Sequence, residues 1–598
     1  MKSTLLSRRD LDFLLFDWLR IDELTRRARF AEHSRDTFAG ALQLCEQLAT
    51  RYFAPHNKKS DTNEPTFDGV KVTVIGEVKE ALAACADAEL VGMAMDYRLG
   101  GAQLPATVAQ AGFAWLMAAN VATAGYPMLT MANANLLAEF GSDQQIDAFV
   151  KPMIAGRFLG TMCLSETQAG SSLADITTRA EPRPDGTFRL FGSKMWISGG
   201  DHELSDNIVH LVLAKIPGGP AGTKGISLFI VPKYLVGPDG APGERNDVVL
   251  AGLNHKMGYR GITNTVLNFG EGGYRPGGEP GAVGYLVGEQ HRGLSYMFRM
   301  MNEARLGVGM GAIALGYTGY LKSLDYARDR PQGRPVTAKD PAAPQIPIIE
   351  HADVKRMLLA QKSYVEGALA LALYCARLVD IARAAESDEE LEHATALLDI
   401  LTPVAKSWPS QWCLAANDLA IQVHGGYGYT REYDVEQHYR DNRLNPIHEG
   451  THGIQSLDLL GRKVVQRDGA SLAALHRAMT DSVTAARRAG GESAELADRL
   501  DAVVQRLVAV TAGMFAAGDI DAALANSAVY LEAFGHVVIA WMWLEQLLAV
   551  ADRTGDFYDG KRQAARYFFR YELPKTGPQL DLLESLDRTT IQMRPQWF

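Results

Sequence analysis

A change of texture in the middle of the chain constrains the fold more than any other feature. Between residues 160 and 288, short β-rich runs (188–191, 195–197, 208–214, 226–231 and 265–269) alternate with turn clusters such as Pro217-Gly218-Gly219-Pro220 and Pro238-Asp239-Gly240. Strands at that spacing predict a compact antiparallel β domain. Helical patterning flanks it on both sides. Residues 1–159 hold Ala/Leu-rich segments at 78–90, 106–124 and 131–140, with turn chemistry expected at 55–61 and 98–101. Beyond Gly293, Val354, Met357, Leu358, Val365, Ala368, Leu369 and Ala372 fit one stripe of a 3.6-residue repeat. A loop holding Pro331, Pro335, Pro341, Pro344 and Pro347 separates two such helices, because so many prolines, each removing a helix hydrogen bond and clashing with the preceding turn, cannot form a helix interior. After Lys463 the pattern stays helical, with a break at Gly490-Gly491 and an apolar helix over 537–550. The expected fold is α+β and mostly α: an N-terminal helical domain (1–159), a middle β domain (160–288), a C-terminal helical bundle (289–463) and an extra helical domain (464–598).

Composition excludes several functions. The 598 residues are 47% hydrophobic and 22% charged, ordinary globular values. A net charge of −10 argues against a protein that neutralises nucleic-acid phosphates. The five cysteines (Cys45, Cys85, Cys163, Cys375, Cys413) show no metal-ligand spacing and read as reduced packing residues. No apolar run reaches the roughly 18–20 residues of a membrane span. Residues 11–19 are short, contain Asp12 and Asp17, and precede no cleavage site of a signal peptide. A cytoplasmic location is expected.

Four segments carry residue types suited to chemistry. In His448-Glu449-Gly450-Thr451-His452-Gly453-Ile454-Gln455, Gly450 permits close approach of a ligand to the backbone, and Thr451 offers a hydroxyl near a helix start. A lone glutamate is ordinarily a solvated charge, so Glu449 stands out by its neighbours. Cys163-Leu164-Ser165-Glu166-Thr167-Gln168-Ala169-Gly170-Ser171-Ser172 suits either a loop that binds phosphate or a polar heterocycle, or a plain turn. In Lys194-Met195-Trp196-Ile197-Ser198-Gly199-Gly200, Trp196 is either core or the wall of a flat cofactor with Ser198 as donor. Gln422-Val423-His424-Gly425-Gly426-Tyr427-Gly428-Tyr429 is either a helix C-cap or an exposed backbone for a diphosphate.

In this order, on a helix–β–helix layout, these segments resemble the acyl-CoA dehydrogenase family of flavoproteins over residues 75–463. Lys256-Met257-Gly258, Leu286-Val287-Gly288-Glu289 and Asn302-Glu303-Ala304-Arg305 agree as well. The long tail, with Ala564-Ala565-Arg566-Tyr567-Phe568-Phe569, resembles the large bacterial subgroup, which includes broad-range fatty acyl-CoA and methylmercaptopropionyl-CoA dehydrogenases.

The resemblance implies FAD as cofactor, lying between the β domain and the second helical domain. Glu449 takes the place of the catalytic base. Met162, Ser165 and Ser198 would contact the isoalloxazine ring, with Trp196 packed beside it. Ser171 would reach the cofactor diphosphate or the substrate pantetheine. Arg330, Gln422, Gly425 and Gly426 match positions that hold the ADP half of FAD from a neighbouring subunit, and Thr451 matches a diphosphate contact. Asn302, Arg305 and Gly450 match positions near the thioester. Two positions depart from the family pattern: Arg330-Pro331-Gln332-Gly333 lacks the usual Phe, and Ala352 follows Glu350-His351 where a Gln is common.

The implied reaction is α,β-dehydrogenation of an acyl-CoA thioester. Apolar surroundings should raise the Glu449 pKa from ~4.3 toward roughly 6–7. The Glu449 N–H and a ribityl hydroxyl would polarise the thioester oxygen. Medium- to long-chain fatty acyl-CoA is the expected substrate, with a short thioether acyl-CoA as second choice. An electron-transferring flavoprotein is the expected acceptor, and an acyl-CoA oxidase passing electrons to oxygen is the rival. A non-catalytic scaffold would have a degraded base or flavin loop, and both are present. The tail is expected to add core burial and support a homodimer, with membrane association through 537–550 less favoured.

Overall fold

The computed structural model describes residues 3–337, 340 and 342–598, so Pro341 of the proline-rich loop lies outside the described residues. The chain forms two compact units. One is continuous, Asp36–Ala304. The other joins Met1–Arg35 to Arg305–Phe598.

The continuous unit carries helices α1 (Arg35–Leu48), α2 (Gly76–Asp87), α3 (Ala106–Ala119) and α4 (Val121–Phe140) ahead of an eight-stranded sheet. The expected helix over 106–124 is split at Asn120, which is extended (φ −161°) and accepts from Thr123 N–H at 3.0 Å as the N-cap of α4. Residues 55–61, expected as a turn, instead lie in helical turns, Ala54–His56 and Asn57–Thr62. The sheet strands are β1 (Phe158–Cys163), β2 (Arg179–Pro182), β3 (Phe188–Ser198), β4 (Asn207–Lys215), β5 (Ile226–Pro232), β6 (Val248–Leu253), β7 (Asn264–Phe269) and β8 (Ala282–Leu286).

They run in the order β6-β7-β3-β8-β5-β4-β1, with β2 against β3 and β4. Most pairs are antiparallel, as expected. However, β1 and β2 both pair with β4 in parallel, so the sheet is mixed. The two runs 188–191 and 195–197 join into the single strand β3. Leu211, Leu213, Leu228 and Ile230 enter one core with Leu136 and Leu137 of α4. Val212, Ala214, Phe229 and Val231 enter the other with Phe188, Leu190 and Phe269. This two-faced burial explains why β4 and β5 read as unbroken apolar runs. The buried Asn133 amide of α4 donates to Thr161 O (3.0 Å) and Val209 O (2.9 Å), fixing the helix to the sheet.

Helix α5 (Gly293–Asp329) carries the chain into the second unit, followed by α6 (Ala352–Arg383), α7 (Asp388–His424), α8 (Val435–Asn442), α9 (His452–Asp458), α10 (Gln466–Ala489), α11 (Gly491–Ala516), α12 (Ser527–Ala549), α13 (Asp556–Tyr567) and α14 (Thr576–Glu584). The apolar helix α12 packs against α6, α7, α10, α11, α13 and α14, and 83% of its most apolar stretch is buried. Gly535 and Gly367 make this packing possible. A Cβ at either would come within 2.4 Å of Trp408 or 2.8 Å of Trp543, respectively. The apolarity of 537–550 is thus used in protein packing. The chain's first residues join the same unit: Phe13 packs edge-on against Phe557, and buried Asp10 and Glu366 flank the buried ammonium of Lys561. All five cysteines are buried and free.

Candidate active site

In the continuous unit the flavin-type residues gather where β1 and β3 end. The Ser165 carbonyl accepts from Met195 N–H at 3.0 Å, which lays the loop after β1 along β3. Pairing of β3 with β7 slips between Thr265 and Leu267, forming a bulge at Met195–Trp196. Trp196 takes a left-handed φ of 65° there, and its side chain is 57% exposed. A strand tryptophan is ordinarily core, and this bulge keeps Trp196 out of the core. Ser198 Oγ is met by the Asn264 amide at 3.3 Å. Met162 is half-buried on β1, and Ser171 is exposed in the loop that follows.

That loop is held by Glu166. Its carboxylate is buried and accepts from Lys194 Nζ (2.9 Å), Thr178 N–H (3.0 Å) and Oγ1 (2.6 Å), Thr177 N–H (2.7 Å) and Oγ1 (2.8 Å), and Gln168 Nε2 (2.8 Å). Burial alone would raise its pKa. Lys194 and these donors outweigh burial and hold it at about 2. Sequence reading passed over Glu166 and Lys194; an acid and a lysine flanked by the flavin-type residues were the available signal.

In the helical unit Glu449 lies on a half-buried turn between α8 and α9. It has a left-handed φ of 53°, followed by Gly450 at φ 90°. A Cβ at Gly450 would come within 2.6 Å of the Gln455 amide, so glycine is required there on both counts. Gln455 Nε2 donates to Glu449 O at 3.0 Å, and Thr451 caps α9 by accepting from Ile454 N–H at 3.4 Å. Buried amides support the turn from behind. Asn417 accepts from Asn442 (2.7 Å), Asn442 from Asn445 (2.9 Å), and Asn445 Oδ1 meets His448 Nε2 at 3.0 Å. Burial, with Lys406 nearby, pushes His448 down to about 3, so it is neutral.

Burial pushes the Glu449 carboxyl up from 4.5 to about 7, against the pull of Lys406 and Arg305. Among the described residues no side chain hydrogen-bonds to that carboxylate, and no backbone acceptor engages the Glu449 N–H. Arg305, on α5, is buried and paired with Asp458 at 2.8 Å. Asn302 is half-buried three residues earlier on α5. Lys406 was not singled out from the sequence; its signal was a lone lysine in the apolar stretch between Pro403 and Pro409.

Arg330, Gly425 and Gly426 come together in a pocket of about 480 Å3, also lined by Tyr326, Gln332 and Tyr427. Gln422 is exposed one turn back on α7 and is not part of the lining. Gly425 (φ 62°) and Gly426 have open space where a side chain would project, and the Arg330 guanidinium lies 5.4 Å from the Tyr427 ring centre. The departures from the family pattern meet here. His351 Nε2 lies 2.8 Å from Gln332 O, and Gln332 N–H donates to Ile346 O at 2.9 Å, closing the base of the proline-rich loop. An exposed indole beside hydroxyls, and a cation beside bare glycine backbone, suit the flat ring and the diphosphate of a flavin dinucleotide.

Comparison with known proteins agrees. The model of the acyl-CoA dehydrogenase middle domain matches residues 161–271, that of the acyl-CoA dehydrogenase C-terminal domain residues 291–464, and that of an acetyl-CoA dehydrogenase C-terminal-like domain residues 473–594. The chain is 35% identical to the 3-methylmercaptopropionyl-CoA dehydrogenase of Ruegeria pomeroyi, over 90% of this chain and 89% of that one. It is 34% identical to the broad-specificity linear acyl-CoA dehydrogenase of Mycobacterium tuberculosis, over 98% of each. Its fold is similar to that of an acyl-CoA dehydrogenase from Bacillus anthracis crystallised with FAD, with a TM-score of 0.74 at 19% identity, covering 94% of this chain and 90% of that one. The chain belongs to the acyl-CoA dehydrogenase family and is an FAD-dependent oxidoreductase.

Proposed function

We propose that the protein dehydrogenates acyl-CoA thioesters to trans-2-enoyl-CoA, with Glu449 as the base that removes the α-proton. The observation that carries this reading is the Glu449 carboxyl itself: raised to about 7, without hydrogen-bond donors, on a turn whose N–H is also unengaged. A carboxyl with a pKa near neutrality is about half ionised at pH 7 and, when ionised, basic enough for proton abstraction. The α-proton passes to a Glu449 carboxylate oxygen. The Glu449 N–H donates to the thioester oxygen, where negative charge develops.

FAD, when bound, supplies the two-electron acceptor for the β-hydride. Trp196, Ser165, Ser198 and Met162 would hold its ring, Ser171 and Thr451 its diphosphate, and Arg330, Gly425 and Gly426 the ADP half, with Gln422 at the margin. Asn302, Arg305 and Gly450 would border the thioester. The electron-transferring flavoprotein is the acceptor in this reading, and the protein acts as a homodimer. Medium- to long-chain linear acyl-CoA is the preferred substrate; the linear class, though not the chain length, is in keeping with the name of the Mycobacterium tuberculosis relative. A short thioether acyl-CoA is the second reading, after the Ruegeria pomeroyi relative.

The test is anaerobic reduction of the holoenzyme by an acyl-CoA series that includes 3-methylmercaptopropionyl-CoA, then reoxidation by electron-transferring flavoprotein or by air. Flavin bleaching by linear acyl-CoA in wild type and its loss in Glu449→Gln are expected. Equal bleaching in both would remove Glu449 as the base.

A further inference from the structure

Lys406 lies in α7 and is completely buried. Its ammonium donates to Asn445 O at 2.9 Å and to Gly450 O at 2.6 Å, on either side of Glu449. An apolar residue would fill this helix position without the desolvation penalty of a buried ammonium, so the charge calls for an explanation. The turn it grips contains two successive left-handed residues, the first of them not glycine, which is a conformation that surrounding structure must impose.

We propose that Lys406 is a positioning residue for the α-proton abstraction: it clamps both ends of the base turn, fixing the left-handed Glu449, and presents a buried positive charge to that carboxylate. This rests on the reading of Glu449 as the base.

The charged groups acting on Glu449 are Lys406 from α7 and Arg305 from α5, while His448 on its own turn is neutral. Asp458 already pairs with Arg305. Lys406 has no such partner: Glu449 is the carboxylate that acts on it, while burial lowers it to about 8. The Lys406 charge is thus directed at the base.

The experiment uses holoenzyme carrying Lys406→Met, Lys406→Arg and Glu449→Gln. The Glu449 carboxyl is titrated in substrate-free protein by infrared difference against Glu449→Gln, a readout independent of turnover. Lys406→Met should raise its midpoint by about one pH unit. It should also lower kcat roughly 10- to 100-fold with a much smaller change in KM. Lys406→Arg should keep the midpoint near that of wild type and recover part of kcat. If Lys406→Met does not fold, Lys406→Gln carries the same readouts. An unmoved midpoint in the neutral variants, or no recovery by Lys406→Arg, overturns the proposal. Full turnover by Glu449→Gln overturns the base assignment instead, and the infrared midpoint still decides whether Lys406 and Glu449 are coupled.

Discussion

Glu166 and Glu449 each have a buried lysine nearby, yet the first is held at about 2 and the second at about 7. Both are penalised by desolvation, so burial alone does not separate them. The difference is where the lysine's hydrogens go. Lys194 donates to the Glu166 carboxylate itself, and Thr177, Thr178 and Gln168 complete the shell. Lys406 spends its donors on backbone carbonyls and leaves the Glu449 carboxylate without a protein donor. A fully satisfied carboxylate locks a loop. One deprived of donors is available to take a proton.

The largest effect should separate the two by chemistry. Glu449→Gln is expected to lower kcat/KM for acyl-CoA by on the order of 10²–10⁴-fold while retaining FAD, measured by steady-state kinetics and flavin absorbance. Glu166→Gln should act through stability instead. Removing one partner of a buried pair leaves the Lys194 charge uncompensated, at about 3–5 kcal/mol, which denaturant unfolding reads directly. A stable Glu166→Gln protein with impaired chemistry would invert the comparison.

The third prediction concerns sign. Glu449 is raised on folding, so between pH 4.5 and about 7 the native state holds a proton that the unfolded chain has released. Its contribution to stability is therefore lost as pH rises through that window. Glu449→Gln should gain about 3 kcal/mol over wild type at pH 8 and nothing at pH 4. Glu166 is depressed, so its stabilisation is present above pH 4.5 and lost as pH falls toward 2. Wild-type kcat/KM should rise with pH and reach half its plateau near pH 7. The smallest effect tests the turn's outer support: Thr451→Ala removes the α9 cap and should cost about 0.5–1 kcal/mol by thermal unfolding.

The sequence exposes what is periodic and local. The β-rich texture, the Gly490-Gly491 break and the Glu449–Gln455 segment were legible because spacing or residue type announces them. Asn120 was not, because an N-cap inside an apolar run looks like one more helical residue until its backbone is seen. The Trp196 bulge is a property of register between β3 and β7, which neither strand encodes alone. Lys406 meets the Glu449 turn from 44 residues before Gly450, beyond the reach of any periodic pattern. The same holds for Arg9, whose guanidinium meets Tyr558 Oη at 2.6 Å across 549 residues of sequence.

That last contact bears on the order in which the protein is made. Residues 36–304 have their core partners within one continuous stretch and can fold as soon as that stretch leaves the ribosome. Phe13 and Asp10, synthesised before that stretch, must wait for Phe557 and Lys561. Residues 1–35 precede the continuous unit in synthesis yet follow it in finding their native place, and the helices around Glu449 share their unit.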